Sequence, residues 1–146
     1  MEDFYLKKYE EADNPKLTFY KVYRSGKCDY DEFIENLNGK YKSLREELGA
    51  IHAIIDKIGI IQLPPSKFRN IKGGKNDRKD IWEIKSKHLR VYLIRKEPDM
   101  FLLLGGIKTK QEEDIATVFR RYNLLPEDMN ILDEDGKVII AVEPPD

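Results

Sequence analysis

The sequence predicts an α+β protein in which a helical pair packs on an antiparallel sheet and a further helix follows. Short segments rich in Val, Ile, Tyr, Phe and Leu alternate or run apolar, which is typical of strands. Other stretches carry apolar residues at helical spacing behind capping residues. With 146 residues, the chain is long enough for one domain with a substantial core. We therefore expect a single domain over residues 1–146.

The amino-terminal half predicts one strand followed by two helices. Residues 17–24, LTFYKVYR, alternate and are rich in β-formers, so they predict the first strand. Asp29 is expected to cap a short helix that ends at Asn38. A Ser-x-x-Glu capping box at Ser43 begins a second helix, for which Gly59 is a stop signal. Because the connection is short, we expect the helices to form an antiparallel hairpin.

The second half predicts three strands and a helix. Residues 63–79 contain the Pro, Gly and charges that are typical of a connecting loop. Strands are expected at 81–86, 88–96 and 100–108, and the links between them are short enough for an antiparallel meander. The third strand is apolar on both faces, which indicates the centre of the sheet. A helix over 111–122 follows it.

Charge is distributed unevenly along a chain whose net charge is only −1. Residues 64–96 hold 11 Lys and Arg against 3 Asp and Glu, whereas residues 111–146 hold 3 against 10. A basic block of this kind is typical of a phosphate-binding surface, although a solvated lysine-rich face has the same composition. Residues 123–146 are expected to form an acidic extension beyond a core of about 17–122, with one more strand at 137–143. We expect this extension to fold against the basic block or to keep the domain soluble.

The composition also indicates where the protein resides. No apolar run approaches the length of about 18 residues that a membrane span needs. Residues 1–16 lack the apolar region of a secretory signal. The one cysteine, Cys28, cannot form an internal disulfide and fits a reducing compartment. We therefore expect a cytoplasmic protein in which Cys28 is a partly buried thiol in front of a helix.

Four short motifs follow one another in the second half of the chain. They are FRNIKGG at 68–74, IWEIKSK at 81–87, LRVYLI at 89–94 and LLLGGIKTKQ at 102–111. In this order, and ahead of a helix, they resemble the RelE/HigB-like toxin family of bacterial toxin–antitoxin systems. The resemblance covers roughly residues 17–122. It implies a RelE-like fold, with an N-terminal strand and an α-helical hairpin packed on an antiparallel β-meander, followed by a C-terminal helix.

The resemblance also implies an activity and partners. Members of this family cleave messenger RNA, usually on the ribosome, and need neither a metal ion nor another cofactor. A cognate antitoxin, in the HigB branch often a helix-turn-helix DNA-binding protein, holds them inactive. The implied function is therefore that of a toxin component acting as an mRNA endonuclease, by attack of a 2′-hydroxyl on the adjacent phosphate.

Five residues are candidates for the catalytic site. Arg90 and Lys85 match arginines of the family motifs, and the guanidinium fork of Arg90 suits a phosphate. Lys108 and Lys110 occupy the place of the family's basic cluster, where the end of a buried strand would hold them at the sheet surface. His88 is a candidate general acid or base, and strand alternation predicts that it shares a face with Arg90. For each of them, a solvated polar side chain remains the alternative.

A second group of cations is expected to bind the RNA. It comprises Lys67, Arg69, Lys72 and Lys75, which together with the catalytic cations would form a basic concave surface. Trp82 is the only tryptophan, and core packing is favoured for it over stacking on a base.

Two departures from the family pattern keep other functions open. Gly105 and Gly106 stand near the place where HigB-like members carry His-Gly, and we expect them to leave room for the RNA. The acid or aromatic that some members carry further along is not recognisable in QEED at 111–114. One alternative is a non-catalytic protein of the same fold that binds an antitoxin or another partner. The other is an unrelated α+β binding domain.

Overall fold

The computed structural model describes residues 3–71, 80–126 and 129–142. Within these ranges, three α-helices and one eight-stranded mixed sheet form an α+β fold. The strands are β1 Phe4–Lys8, β2 Thr18–Arg24, β3 Phe68–Asn70, β4 Ile81–Lys85, β5 Leu89–Lys96, β6 Asp99–Ile107, β7 Met129–Leu132 and β8 Val138–Val142. The helices are α1 Asp29–Asn38, α2 Leu48–Ile55 and α3 Gln111–Leu124, with 3₁₀ turns at Lys42–Glu47 and Lys108–Lys110. None of the helices within the described ranges is both long and apolar enough to cross a membrane.

The strand order in the sheet is β3-β4-β5-β6-β2-β1-β7-β8. β4, β5 and β6 pair antiparallel as predicted, and β6 lies in the interior of the sheet, as its apolar sequence indicates. The meander is only part of the sheet, however. β2 pairs parallel with β6, and β1 pairs parallel with β7. The loop predicted over 63–79 contains the edge strand β3, which the sequence did not predict.

The helices cover opposite faces of the sheet. On β5, Leu89, Val91 and Leu93 face one core, which also contains the buried side chains of α1 and α2. Tyr92 and Ile94 face the second core, which contains the buried side chains of α3. This alternation follows from the period of two in a strand. It places Glu83, Arg90 and Tyr92 on the α3 face and Trp82 on the other face.

Two adjacent glycines at the end of β6 allow helices to approach on both faces. A Cβ atom at Gly105 would lie 2.4 Å from the ring of Phe33 in α1, and one at Gly106 would lie 2.0 Å from Asp114 Oδ2 in α3. The expectation that these glycines leave room for RNA is therefore wrong. The space next to each glycine is occupied by a helix of the protein itself.

The beginnings of the first two helices differ from the prediction. Cys28, not Asp29, is the N-cap of α1, and its Sγ accepts a hydrogen bond from the backbone N–H of Asp31 at 3.4 Å. The expected capping box at Ser43 does not form, because Ser43 lies inside the 3₁₀ turn and α2 begins only at Leu48.

The Cys28 thiol is expected to be unreactive in the folded protein. Burial raises its pKa from 9.0 to about 11, so the thiolate fraction near neutral pH falls by about 100-fold. We expect Ellman's reagent at about pH 8 to react at least about 100-fold more slowly with the native protein than with the protein in denaturant. Equal rates in the two states would show that Cys28 is open to solvent.

Two strands within residues 123–146, β7 and β8, belong to the sheet. β7 and β8 lie beyond β1, at the edge opposite to β3 and β4. Parallel pairing with β1 holds β7 there, with Tyr5 opposite Asn130. β7 and β8 therefore do not cover the basic residues of β4 and the segment before β3, which corrects the expectation that the extension folds against the basic block.

Candidate functional site

A cavity of about 480 Å³ opens between α2 and the end of β4. The described residues that line it include four lysines and one acid, Glu47. We call it the lysine groove, after Lys57, Lys67, Lys85 and Lys87. The other residues that line it are mostly apolar and include Ala50, Ala53, Ile54 and Leu63. A cationic cavity with an apolar floor suits a ligand that carries both phosphate and apolar surface.

The backbone brings two of the predicted cations into this groove. The N–H of Lys85, at the end of β4, donates to the carbonyl of Lys67 at 2.8 Å. A turn before β3 fixes Lys67, because the Pro64 carbonyl accepts from the N–H groups of Lys67 and Phe68 at 2.9 and 3.1 Å. Lys57, which sequence analysis missed, reaches the groove from the end of the helical pair.

A carboxylate holds the hairpin between β4 and β5 at the side of the groove. Glu47 Oε1 accepts hydrogen bonds from the hydroxyl of Ser86 at 2.6 Å and from the backbone N–H of His88 at 2.7 Å. Glu47 Oε2 lies 2.6 Å from His88 Nδ1. Burial raises the pKa of Glu47, but these hydrogen bonds outweigh it and the net pKa is lowered. Glu47 therefore stays ionised and orients the imidazole.

The Glu47–His88 pair leaves one ring nitrogen available. Because an ionised carboxylate can only accept, His88 Nδ1 carries a proton, and in the neutral ring Nε2 holds the free lone pair. The side chain of His88 is 47% exposed. The imidazole turns toward the helical layer that contains Glu47, so the prediction that it shares a face with Arg90 was wrong. Its position in the turn before β5 releases it from strand alternation.

The predicted lysines after β6 lie close by but outside the groove. The N–H of Lys108 donates to the carbonyl of His88 at 2.8 Å, which places the two residues side by side. Lys110 and Lys108 line a separate hollow of about 340 Å³ together with Glu112 and Glu113. The two acids offset the two lysines there, so this hollow is less favourable for an anion than the groove.

Arg90 lies below the surface on which it was expected. Its side chain faces the α3 side, and the residue is only 4% exposed. Nη1 donates to the backbone carbonyls of Ser86 and Leu89 at 2.7 and 2.8 Å. The guanidinium group therefore bonds the backbone at the start of β5 from the α3 side of the sheet.

A buried polar cluster occupies the α3 face beside Arg90. Glu83 is fully buried and accepts from Arg69 Nε at 2.9 Å and from Gln111 Nε2 at 2.8 Å. Tyr92 is directly opposite Glu83 in the register of β4 and β5. Burial, followed by the negative charges of Glu83 and Asp114, raises the pKa of Tyr92. Arg69 was predicted to bind RNA, but its charge compensates Glu83.

Asp114 forms the edge of this cluster at the start of α3. Its Oδ2 is buried and, within the described residues, has no hydrogen-bond partner. Its pKa is raised from 3.8 to about 6, chiefly by burial and also by the negative charge of Glu113, while Lys110 opposes the change. The folded state therefore holds this proton more tightly than the unfolded chain. The resulting loss of stability is absent below about pH 3.8 and complete above about pH 6.

The Asp114→Asn variant is expected to be more stable than the parent at about pH 7.5, by about 1 kcal/mol. The pKa shift alone corresponds to about 3 kcal/mol, and partial exposure of the carboxylate reduces it by screening. Below about pH 4 the gain should vanish, because the parent residue is then mostly protonated in the fold. Urea unfolding at both pH values measures it, with Glu112→Gln as a control for net charge. An equal gain at both pH values would contradict the assignment.

The remaining predicted cations, Lys72 and Lys75, lie outside the described residues. Among the described residues, no group of three or more His, Cys, Asp and Glu side chains could hold a metal ion. Compared with family models, with curated proteins and with solved structures, the chain has no match.

Proposed function

We propose that the protein is an endoribonuclease that cleaves messenger RNA, and that it acts as the toxin component of a toxin–antitoxin pair. The observation that carries the proposal is the Glu47–His88 pair beside the lysine groove. A carboxylate-oriented imidazole supplies acid–base chemistry, and the lysines supply charge for a phosphate. The succession of β2, α1, α2, the meander of β4, β5 and β6, and α3 supports the RelE-like fold that the resemblance implies, with β1, β3, β7 and β8 as additions to it. In this proposal the antitoxin and the translating ribosome are the partners.

The proposed reaction is an in-line displacement at phosphorus. The RNA 2′-oxygen forms a bond to the adjacent phosphorus, and the bond from phosphorus to the 5′-oxygen breaks. His88 Nε2 accepts the proton of the 2′-hydroxyl, while a lysine ammonium group or water protonates the leaving 5′-oxygen. The groove lysines offset the charge that develops on the non-bridging oxygens. The products are a 2′,3′-cyclic phosphate and a 5′-hydroxyl.

A non-catalytic binding domain of the same fold is the second candidate. The burial of Arg90 favours it, because the arginine that the family motif assigns to phosphate is bonded to backbone carbonyls instead. In that case the lysine groove would receive an acidic segment of a partner protein.

Mapping RNA ends tests the first candidate. The purified protein is incubated with translating ribosomes and with free RNA, and new 5′-hydroxyl ends are mapped. We expect cleavage by the parent chain and strongly reduced cleavage by Lys67→Ala with Lys85→Ala. The matched control is Lys42→Ala with Lys96→Ala, which removes two exposed lysines away from the groove. A substrate with a 2′-deoxy residue at the mapped position should resist cleavage.

If RNA stays intact in all reactions of the folded parent protein, the proposal that it is an enzyme is wrong. Equal losses in the two lysine pairs would instead show a general effect of charge. Cleavage of the 2′-deoxy substrate would exclude the proposed nucleophile.

A further inference from the structure

A second cavity, of about 320 Å³, adjoins the lysine groove. Ile61, Gln62 and Leu63 line both cavities, so one short segment after α2 forms their common wall. The second cavity is also lined by Phe68, Trp82 and Arg95. Both volumes lie in the range of small-molecule sites. A single ligand can therefore extend from the lysine groove across the common wall into the second cavity.

The second cavity contains a stack of flat side chains. The rings of Phe68 and Trp82 lie 4.6 Å apart between centroids with an interplanar angle of 25°. The guanidinium carbon of Arg95 lies 4.6 Å from the Trp82 centroid. The three residues come from β3, β4 and β5, and strand alternation places them on the face that carries α2.

The positive charge of Arg95 is only partly compensated within the protein. Its Nη2 lies 3.3 Å from Glu97 Oε2 in an ion pair at the protein surface, where such a contact contributes little to stability. The indole and the guanidinium are both partly exposed. A planar cation over an indole is a surface on which nucleobases stack, and such stacking tolerates any base.

We propose that the second cavity is a nucleobase subsite for single-stranded RNA whose phosphates lie in the lysine groove. The inference rests on the proposed function and adds to it the stacking contact that positions the strand. The exposed Ile60 and Ile61, at 48% and 52%, would suit an apolar peptide instead. The cations of the adjoining groove favour the polyanion.

Trp82 reports directly on this subsite, because it is the only tryptophan of the chain. A non-cleavable 2′-O-methyl oligonucleotide is titrated into the full chain, and an abasic oligomer of the same length and backbone is titrated in parallel. We expect the base-bearing oligomer to quench Trp82 fluorescence and to bind about tenfold more tightly than the abasic one. An apolar peptide of similar length serves as the third ligand.

Two variants locate the effect. By anisotropy of a labelled oligomer, Trp82→Leu should lose most of the tenfold difference between base-bearing and abasic ligands, with less than about a twofold change for the abasic one. Arg95→Gln removes the cation but keeps the indole, so it tests the same stack if Trp82→Leu does not fold. Lys67→Ala should weaken both oligomers alike and reduce the salt dependence of binding.

Equal affinities for the two oligomers, without quenching, would overturn the subsite. A fluorescence response to the peptide and not to the oligonucleotide would overturn it as well. Failure of the proposed function is a separate result. Cleavage without quenching removes only the subsite, whereas quenching without cleavage keeps the RNA subsite and removes the enzyme.

Discussion

RNA cleavage by the His88→Gln variant is expected to be about 10²- to 10⁴-fold slower than cleavage by the parent chain. Glu47 holds His88 by two hydrogen bonds, one from the backbone N–H of His88 and one from Nδ1 of its imidazole. A glutamine can keep a hydrogen bond to the carboxylate, but it offers no nitrogen that accepts a proton near neutral pH. The loss should therefore appear in kcat more than in KM.

Glu47→Gln should slow RNA cleavage less than His88→Gln does, and for a different reason. The amide can still bond the hairpin, but it no longer stabilises the imidazolium that forms when His88 accepts a proton. We expect the effect of this variant to be largely absent when His88→Gln is already present, because the two residues act as one unit.

His52→Gln is the matched control, since His52 is the only other histidine. It lies in α2, bonds the hydroxyl of Tyr9, and is absent from the lining of the groove. Cleavage by this variant should equal that of the parent. If His88→Gln keeps parental kcat while its melting temperature is normal, His88 only fastens the hairpin and the acid–base assignment is wrong.

Gly105→Ala is expected to destabilise the fold by about 2–3 kcal/mol. The added Cβ would lie 2.4 to 2.7 Å from three atoms of the Phe33 ring, and Phe33 is only 3% exposed. Because the ring is packed between α1 and the sheet, it cannot rotate away, and α1 must shift outward. Urea unfolding with an unchanged m-value measures the effect as a lower midpoint.

Two variants calibrate this result. Gly49→Ala adds the same methyl group in α2, where nothing lies within 4 Å, and should stabilise by about 0.5–1 kcal/mol. Phe33→Leu combined with Gly105→Ala should lose less than the sum of the two single changes, because the smaller side chain relieves the clash. Equal stabilities of Gly105→Ala and Gly49→Ala would contradict the close approach of α1 to β6.

The part of the fold that local patterns predict is the part stabilised by local pairing. β4, β5 and β6 follow from alternation and from short links, and α3 follows from its apolar spacing. The parallel neighbours of β6 and β1 have no such signal, because β2 and β7 are distant in sequence from the strands they join. The short strand β3 is also invisible, since three residues within a Pro- and Gly-rich stretch carry too little periodicity.

The residues of the candidate site also divide into those that local sequence patterns predict and those that they do not. Lys67, Lys85 and His88 could be selected from the basic block, but Glu47 could not, because it meets His88 across 41 positions of sequence. Arg90 was misplaced for a related reason. A strand arginine next to a turn can bond the turn's own carbonyls, and no pattern of residue types distinguishes that from a guanidinium open to a ligand.

The parallel pairing of β1 with β7 has a consequence for the order in which the chain folds. Tyr5 pairs with Asn130 across 125 positions of sequence, so this contact is long-range. The meander and α3 can form early from neighbouring segments, whereas β1 gains its second neighbour only after residue 130 has been synthesised. The edge of β1 is therefore an unpaired strand in the nascent chain until β7 has emerged from the ribosome and pairs with it.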